Sequence, residues 1–576
     1  MSALVSERYP IPKTQFLKKD FEAHRWENVE PILLELEARS LGNAGELEQW
    51  LLDRSELDAQ IAACASRFMV ATACKTNDKE AEKTFLDFQT GLIPKLKPID
   101  DRLDRRFLAC PFRQELSPHD WHIYTRGTEL AVELFREDNV VLEAEEEERT
   151  LEYGQITGAM MVDFQGETRT LAGMAHFAED ADRDVREQAW RTTAGRRLED
   201  RQQLGQLFDD LIQLRQAMAQ NAGYTNYREY KHLEMGRLDY QADDCLVLQD
   251  NIEKHVLPLL HEMDDARRRH LGLKILRPWD FAVDPRGASG FKPFANEQEQ
   301  IAIGATLLGK VDPEFEADLY WMAEKNLLDL ATRPHKRGGG FMDTFEDVRH
   351  PFIFSNSGFT HGDVETLVHE GGHAIHSLLS RHLEPVGYRM PPLEFAEVAS
   401  MGMECLAMEH LEAVYPPLEA KRCVIQSLEG IVRSFAWIAT IDSFQHQLYA
   451  DVEMEESGRQ ALWLKLRERF GSRQDWSGLE EFRAWEWQRQ LHLYEVPFYY
   501  VEYAIAQNGA LQVWELYRQN PVETIKKYRQ GLALGGAKSL GDLFSAAGLV
   551  FDPRGEKLAE LMASVSQAWQ KAQEED

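Results

Sequence analysis

Residues 363–379, DVETLVHEGGHAIHSLL, constrain this chain more than any other segment. Val364, Leu367, Val368, Ala374, Ile375, Leu378 and Leu379 recur at spacings of three and four, which predicts an amphipathic helix. On a helix, His369 and His373 stand one turn apart and project their imidazoles from one face, where both can bind one tetrahedral metal ion such as zinc. Glu370 is too close in sequence to be an ideal third ligand. It can instead reach a water at the ion and act as a general base. Gly371 and Gly372 each cost about 1 kcal/mol relative to alanine inside a helix, so the pair predicts a close approach by a neighbouring helix or a substrate.

A catalytic zinc usually takes three protein ligands and keeps one position for water. Downstream, PPLEFAEVASMGMECLAMEH reads as a second helix starting after Pro392 and offers Glu394, Glu397, Glu404 and Glu409. Spacing alone does not choose among these four carboxylates.

The rest of the chain sets the context. Its 576 residues are several domains' worth of sequence. Acidic side chains outnumber basic ones by 97 to 65, for a net charge of -32. That excess argues against nucleic acid and anionic membrane as partners, since both demand basic patches. The six cysteines show no paired C-x-x-C spacing, which suits reduced core thiols better than disulfides or a thiolate metal site. MSALVSERYPIPKTQF lacks the charged head and apolar run of a secretory signal, and no apolar stretch is long enough for a bilayer, so the expected location is cytoplasmic. Helical periodicity covers residues 21–107, 184–221, 242–273, 296–332 and most of the chain after Asp363. Glu145 to Arg149 reads as a solvated helix face. LRPWDFAVDPRGASGFKPF, broken by Pro278, Pro285, Gly287, Gly290 and Pro293, reads as a surface loop or lid. Between His335 and Asp363 the pattern is non-helical, and PFIFSN reads as a short strand, with Pro351 suited to a strand start or a sheet edge.

HEGGHAIH followed by FAEVAS resembles the oligoendopeptidase F and thimet oligopeptidase family of zinc peptidases. The similarity continues through NYREYKHLEMGRLDY, LRPWDFAVDP, KRGGGF, PFIFSN and LHLYEVPFYYVEYAIAQNGAL, from about Ala189 onward. The resemblance implies Glu397 as third ligand beside His369 and His373 on one catalytic Zn2+, with Glu370 as base. It implies His492, Tyr500 and Tyr503 as donors to the carbonyl oxygen, with Tyr494 and Tyr499 as substitutes. The implied fold is mainly α and zincin-like: an elongated helical body with a deep substrate channel and a small β element beside the zinc-binding helix. An N-terminal helical domain would span 1–188 and the catalytic domain 189–576. Hydrolysis of internal bonds in short unstructured peptides is the implied function. The alternatives are a zinc carboxypeptidase of related helical fold and a zinc-retaining peptide-binding scaffold. PFIFSN would supply an edge strand to which a peptide adds. His376 is expected to pack or support the site rather than bind metal, and His361 and His335 carry no assigned role.

Overall fold

A computed structural model describes residues 8–286 and 291–574. The described chain is mainly helical and divides into two compact units, each assembled from three stretches. Unit 1 comprises residues 1–137, 292–424 and 506–551; unit 2 comprises 138–291, 425–505 and 552–576. Residue 188, where the sequence suggests a domain boundary, lies inside the helix Arg183–Glu199 of unit 2. No helix among the described residues is long and apolar enough to cross a membrane.

The N-terminal part of unit 1 is a helical layer: Trp26–Ala38, Ala44–Cys74, Lys79–Gly91, Ile93–Ala109 and Pro118–Leu134. The break at Gly42 is followed by Asn43, whose side chain accepts from the Glu46 N–H and starts the next helix. Leu33, Leu36, Trp50, Leu103 and Phe107 form the middle of this layer's core, each at most 1% exposed.

The remainder of unit 1 sets helices against a small sheet. Glu297–Val311 and Pro313–Glu324 are helical, as the periodicity predicts, but residues 328–331 are not. Leu328–Ala331 is a strand, too short for alternation to register against the helical pattern before it. Numbering strands in chain order, β1 (Met161–Phe164) and β2 (Glu167–Thr170) form a hairpin in unit 2. In unit 1, β3 is Leu328–Ala331, β4 is Phe341–Phe345 and β5 is His350–Ser357. Their order is β3-β5-β4, with β5 parallel to β3 and antiparallel to β4. PFIFSN is therefore the central strand and not an edge; its Ile353 and Phe354 are fully buried. Pro351 sits near its start, as a residue without an N–H should.

In unit 2, helices Arg183–Glu199, Arg201–Asn221, Ala242–His255 and Leu257–His270 precede the loop segment. That segment is anchored rather than lid-like in its first half. Trp279 is 4% exposed and packs on Trp190, and the fully buried Asp280 binds Arg183 and Arg186 at 2.7 and 3.2 Å. Gly287 and Gly290 lie outside the described residues. The acidic run is only partly a solvated face, because Glu146 reaches the wholly buried Arg215 at 2.6 Å.

Candidate metal centre

The helix His361–Ser380 begins where Thr360 and Asp363 exchange capping contacts, with the Thr360 N–H donating to the Asp363 carboxylate at 2.7 Å. Val364, Leu367, Val368, Ala374, Ile375 and Leu378 are buried along it, so its orientation is set by packing. His369 and His373 emerge from the same side, their ring centroids 5.0 Å apart. The helix Leu393–Met408 crosses beside it, and the two glycines behave differently there. A Cβ on Gly372 would meet the Ala399 carbonyl oxygen at 2.4 Å and the Ser400 Cα at 2.7 Å. A Cβ on Gly371 would find only Leu308 Cδ1, at 3.4 Å. The predicted close approach is thus a helix crossing, and it falls on Gly372.

That crossing brings Glu397 to the histidines. Its Oε2 lies 3.5 Å from His369 Nε2 and 3.6 Å from His373 Nε2. Around a tetrahedral ion with bonds of about 2.0–2.2 Å, donor atoms stand roughly 3.3–3.6 Å apart, so this spacing fits a zinc-sized ion. One donor atom from each residue lies within 4.8 Å of the others. Two imidazoles and a carboxylate also suit zinc chemically.

The other three carboxylates have different positions. Glu404, two turns beyond Glu397 on the same face, accepts from His369 Nδ1 at 2.5 Å. Glu409 accepts from the Trp514 indole at 2.6 Å, and Glu394 is 2% exposed. The sequence offers Glu404 only as a candidate ligand, whereas in the structure it is the partner of His369. Its i+7 spacing from Glu397 was the available signal. Ser400, one turn after Glu397, donates to Glu397 Oε2 at 2.9 Å.

Electrostatics follow from this packing. Burial would raise the Glu397 carboxyl, but the His373 hydrogen bond and the charges of His373 and His369 hold it down to about 2. Burial opposes charge on His369, yet Glu404 and the neighbouring carboxylates push it up to about 9. Glu370 is 6% exposed, and burial raises its proton affinity, with Glu397 and Glu404 adding to the shift against the pull of the two histidines. Gly340 lies against it: a Cβ there would stand 3.5 Å from Glu370 Oε1 and 3.1 Å from the Thr366 methyl. The last glycine of the KRGGGF run therefore closes on Glu370.

Three further histidines are outside this cluster. His376, 2% exposed, packs edge-on against Phe395 and has neither ring nitrogen hydrogen-bonded; burial lowers it to about 3. His361 contacts the Tyr415 hydroxyl at 3.2 Å, and the His335 carbonyl accepts from the Thr76 N–H.

His492, Tyr500 and Tyr503 come together in unit 2, the His492 ring 4.7 Å from Tyr500 and 6.4 Å from Tyr503. Gln490, which the sequence did not single out, organises His492 and Tyr500. The Trp437 indole, donor only, donates to Gln490 Oε1, so the Gln490 amide nitrogen faces His492 Nδ1 at 2.7 Å and the Tyr500 oxygen at 2.9 Å. Nδ1 is then an acceptor. Burial lowers His492 to about 4, so the neutral ring carries its proton on Nε2. Tyr499 packs on Tyr503, whereas Tyr494 is wholly buried, stacked on Tyr153 with its hydroxyl on the Leu204 carbonyl. Arg215 donates to the Leu493 and Tyr494 carbonyls, and Arg237 to the Phe498 carbonyl and Glu502. These two buried cations hold the backbone of the block at both ends.

Paired imidazoles, an opposed carboxylate and an adjacent buried carboxyl on crossing helices define a helical metallopeptidase site. The chain belongs to peptidase family M3, whose family profile matches residues 176–559. It is 26% identical over 308 residues to the plasmid oligoendopeptidase F of Lactococcus lactis subsp. cremoris, covering 53% of this chain and 50% of that protein. Over 370 residues it is 23% identical to the oligopeptidase PepF of Bacillus subtilis strain 168, covering 60% and 54%. The matched stretches thus span about half the length of these relatives. Among solved structures, PZ peptidase A with inhibitor 2 superposes with a TM-score of 0.90 at 26% identity, over 97% of this chain and 99% of the other. The oligoendopeptidase-F of Enterococcus faecium, at 16% identity and a TM-score of 0.65 over 95% and 97%, shows the shared fold alone.

Losing the Glu404 carboxylate leaves the imidazole's orientation to packing. Glu404→Gln is expected to weaken metal binding about 10- to 100-fold, measured by competition with a chromogenic chelator. An unchanged affinity would show that Glu404 does not orient His369.

Proposed function

We propose that this chain is a zinc-dependent oligoendopeptidase acting on internal bonds of short, unstructured peptides. The observation that carries the reading is the convergence of His369, His373 and Glu397 at the donor spacing of one zinc ion, with Glu370 buried beside them. Bound there, zinc supplies positive charge that lowers the pKa of water toward about 7 and polarises a carbonyl.

The chain's own groups do the rest. Glu404 engages His369 Nδ1 and so presents Nε2 toward Glu397, where it would help to hold the ion. Glu370, whose proton affinity is raised by burial, accepts a proton from the attacking water as the C–O bond forms. It returns that proton to the amine nitrogen as the C–N bond breaks. Among the described residues, β4 pairs with β5 along one side only, and it packs beside the His369 helix. Its other edge offers backbone groups to an extended peptide irrespective of side chains, which favours broad sequence tolerance. From the family resemblance we carry over the roles of His492, Tyr500 and Tyr503 as donors to the carbonyl oxygen as negative charge develops on it. Gln490 donates to the Tyr500 oxygen, so the phenol proton remains available to substrate.

Tyr500→Phe and Tyr503→Phe are each expected to lower kcat about 10²- to 10³-fold with zinc content unchanged. Full turnover in both variants would remove the oxyanion role. The function itself is tested by mass spectrometry of products from a graded series of short to long peptides, with and without chelator. Chelator-sensitive internal cuts confined to the shorter peptides support it. Single residues released from the C-terminus would make the protein a carboxypeptidase, and intact peptides after incubation with zinc-loaded protein would make it a binding scaffold.

A further inference from the structure

Unit 2 contains a second cluster with metal-ligating chemistry. Cys245 lies on the helix Ala242–His255, and Asp442 and His446 lie one turn apart near the C-terminal end of the helix Pro417–Ala450. All three are buried, at 1%, 1% and 5% exposure. The Cys245 sulfur, a carboxylate oxygen of Asp442 and a ring nitrogen of His446 lie within 4.8 Å of one another. We propose that Cys245, Asp442 and His446 form a second metal site, taking one borderline divalent ion such as zinc or cobalt through a thiolate, a carboxylate oxygen and an imidazole nitrogen.

Independent evidence comes from orphaned polar atoms. Asp442 Oδ1 and His446 Nδ1 are buried without a hydrogen-bond partner, in a protein interior where such groups are normally paired. The carboxylate is nevertheless held in place. Gln249 Nε2 donates to Asp442 Oδ2 at 2.6 Å, and the Ser443 hydroxyl fixes Gln249 by donating to its Oε1 at 2.6 Å. This second layer orients a ligand through the oxygen that does not need to bind the ion. An internal ion pair between Asp442 and protonated His446 is the competing arrangement. Their contact, Nε2 to Oδ2, is a long 3.5 Å, and a protonated ring would carry an Nδ1–H with no acceptor.

Charge also balances. Burial opposes charge on Asp442, whereas His446, then Gln249 and last Arg237 favour its ionised form; the Arg237 charge is itself committed to Glu502 at 2.7 Å. A dication with one thiolate and one carboxylate is neutral overall and suits a dry interior. Binding converts the Cys245 thiol to a thiolate and releases its proton to solvent. Metal–ligand bonds of about 2.0–2.3 Å place donors some 3.3–3.8 Å apart, so the present spacing closes by at most about 1.5 Å. All six cysteines are thiols in the structure. A site with a single thiolate leaves no C-x-x-C pattern, which is why the sequence reads Cys245 as a core residue. The bound ion would tie two helices of unit 2 together and would leave the His369 cluster unaltered.

The test uses the full chain, stripped of metal and reloaded with cobalt(II). Bound cobalt is counted by mass spectrometry, and the near-ultraviolet spectrum is recorded for a thiolate-to-cobalt charge-transfer band. His369, His373 and Glu397 contain no sulfur and cannot produce that band. Wild type is expected to hold two ions per chain and show the band. His373→Ala should keep the band with one ion, and Cys245→Ser should lose the band while keeping one ion. Asp442→Asn, which preserves shape and serves as the second variant where Cys245→Ser fails to fold, should require at least tenfold more cobalt to reach half the band. Cobalt-loaded wild type without the band, a band that survives Cys245→Ser, or a band that titrates identically in Asp442→Asn would each overturn the site.

Discussion

Glu370→Gln is expected to hold metal at the wild-type stoichiometry and to hydrolyse peptides about 10⁴-fold more slowly, the upper end of what a positioned acid–base group contributes. The amide has the shape of the carboxyl, so the helix and the donors of His369, His373 and Glu397 keep their places. What disappears is the group proposed to take a proton from water and return it to the leaving amine. The effect should fall on kcat, because Glu370 is only 6% exposed and its task belongs to the transition state. Metal analysis alongside steady-state kinetics on an internally quenched peptide measures both quantities. Turnover within tenfold of wild type, at full metal content, would mean that another base serves the site.

Gly372→Ala is expected to cost about 3 kcal/mol of stability and most of the metal affinity, although the substitution adds a single methyl group. The methyl would overlap the backbone of Ala399 and Ser400, which cannot rotate away as a side chain can. Relief requires the two helices to separate, and that motion carries Glu397 away from His369 and His373. Gly371→Ala is the control: its nearest neighbour is a Leu308 methyl at 3.4 Å, and alanine regains about 1 kcal/mol of helix propensity. Thermal denaturation and zinc titration of the two variants should therefore diverge in opposite directions. Equal behaviour would show that the helix crossing does not constrain the metal ligands.

Much of the candidate site was legible in residues because its chemistry is local. The i,i+4 spacing of His369 and His373 is a property of one helix, and Glu370 follows from the same turn. The helical character of most of the chain was equally visible in apolar periodicity, whereas β3 and β4 were not, being too short to show alternation. PFIFSN showed that it was a strand, but nothing within it showed that its two neighbours would make it central. Gln490 carried no signal, since a glutamine becomes informative only when the groups around its amide are known.

The sequence by itself determined which residues can bind a metal and which can move a proton, because those capacities belong to side-chain type and to spacing along one helix. Spacing left Glu394, Glu397, Glu404 and Glu409 open and the family resemblance pointed to Glu397, but only the tertiary structure brought Glu397 against both histidines, separated Gly372 from Gly371, and set Cys245 apart from the other thiols. Each of those distinctions depends on which backbone or side chain from a distant part of the chain arrives within a few ångströms, and packing between elements, rather than periodicity within one, decides that.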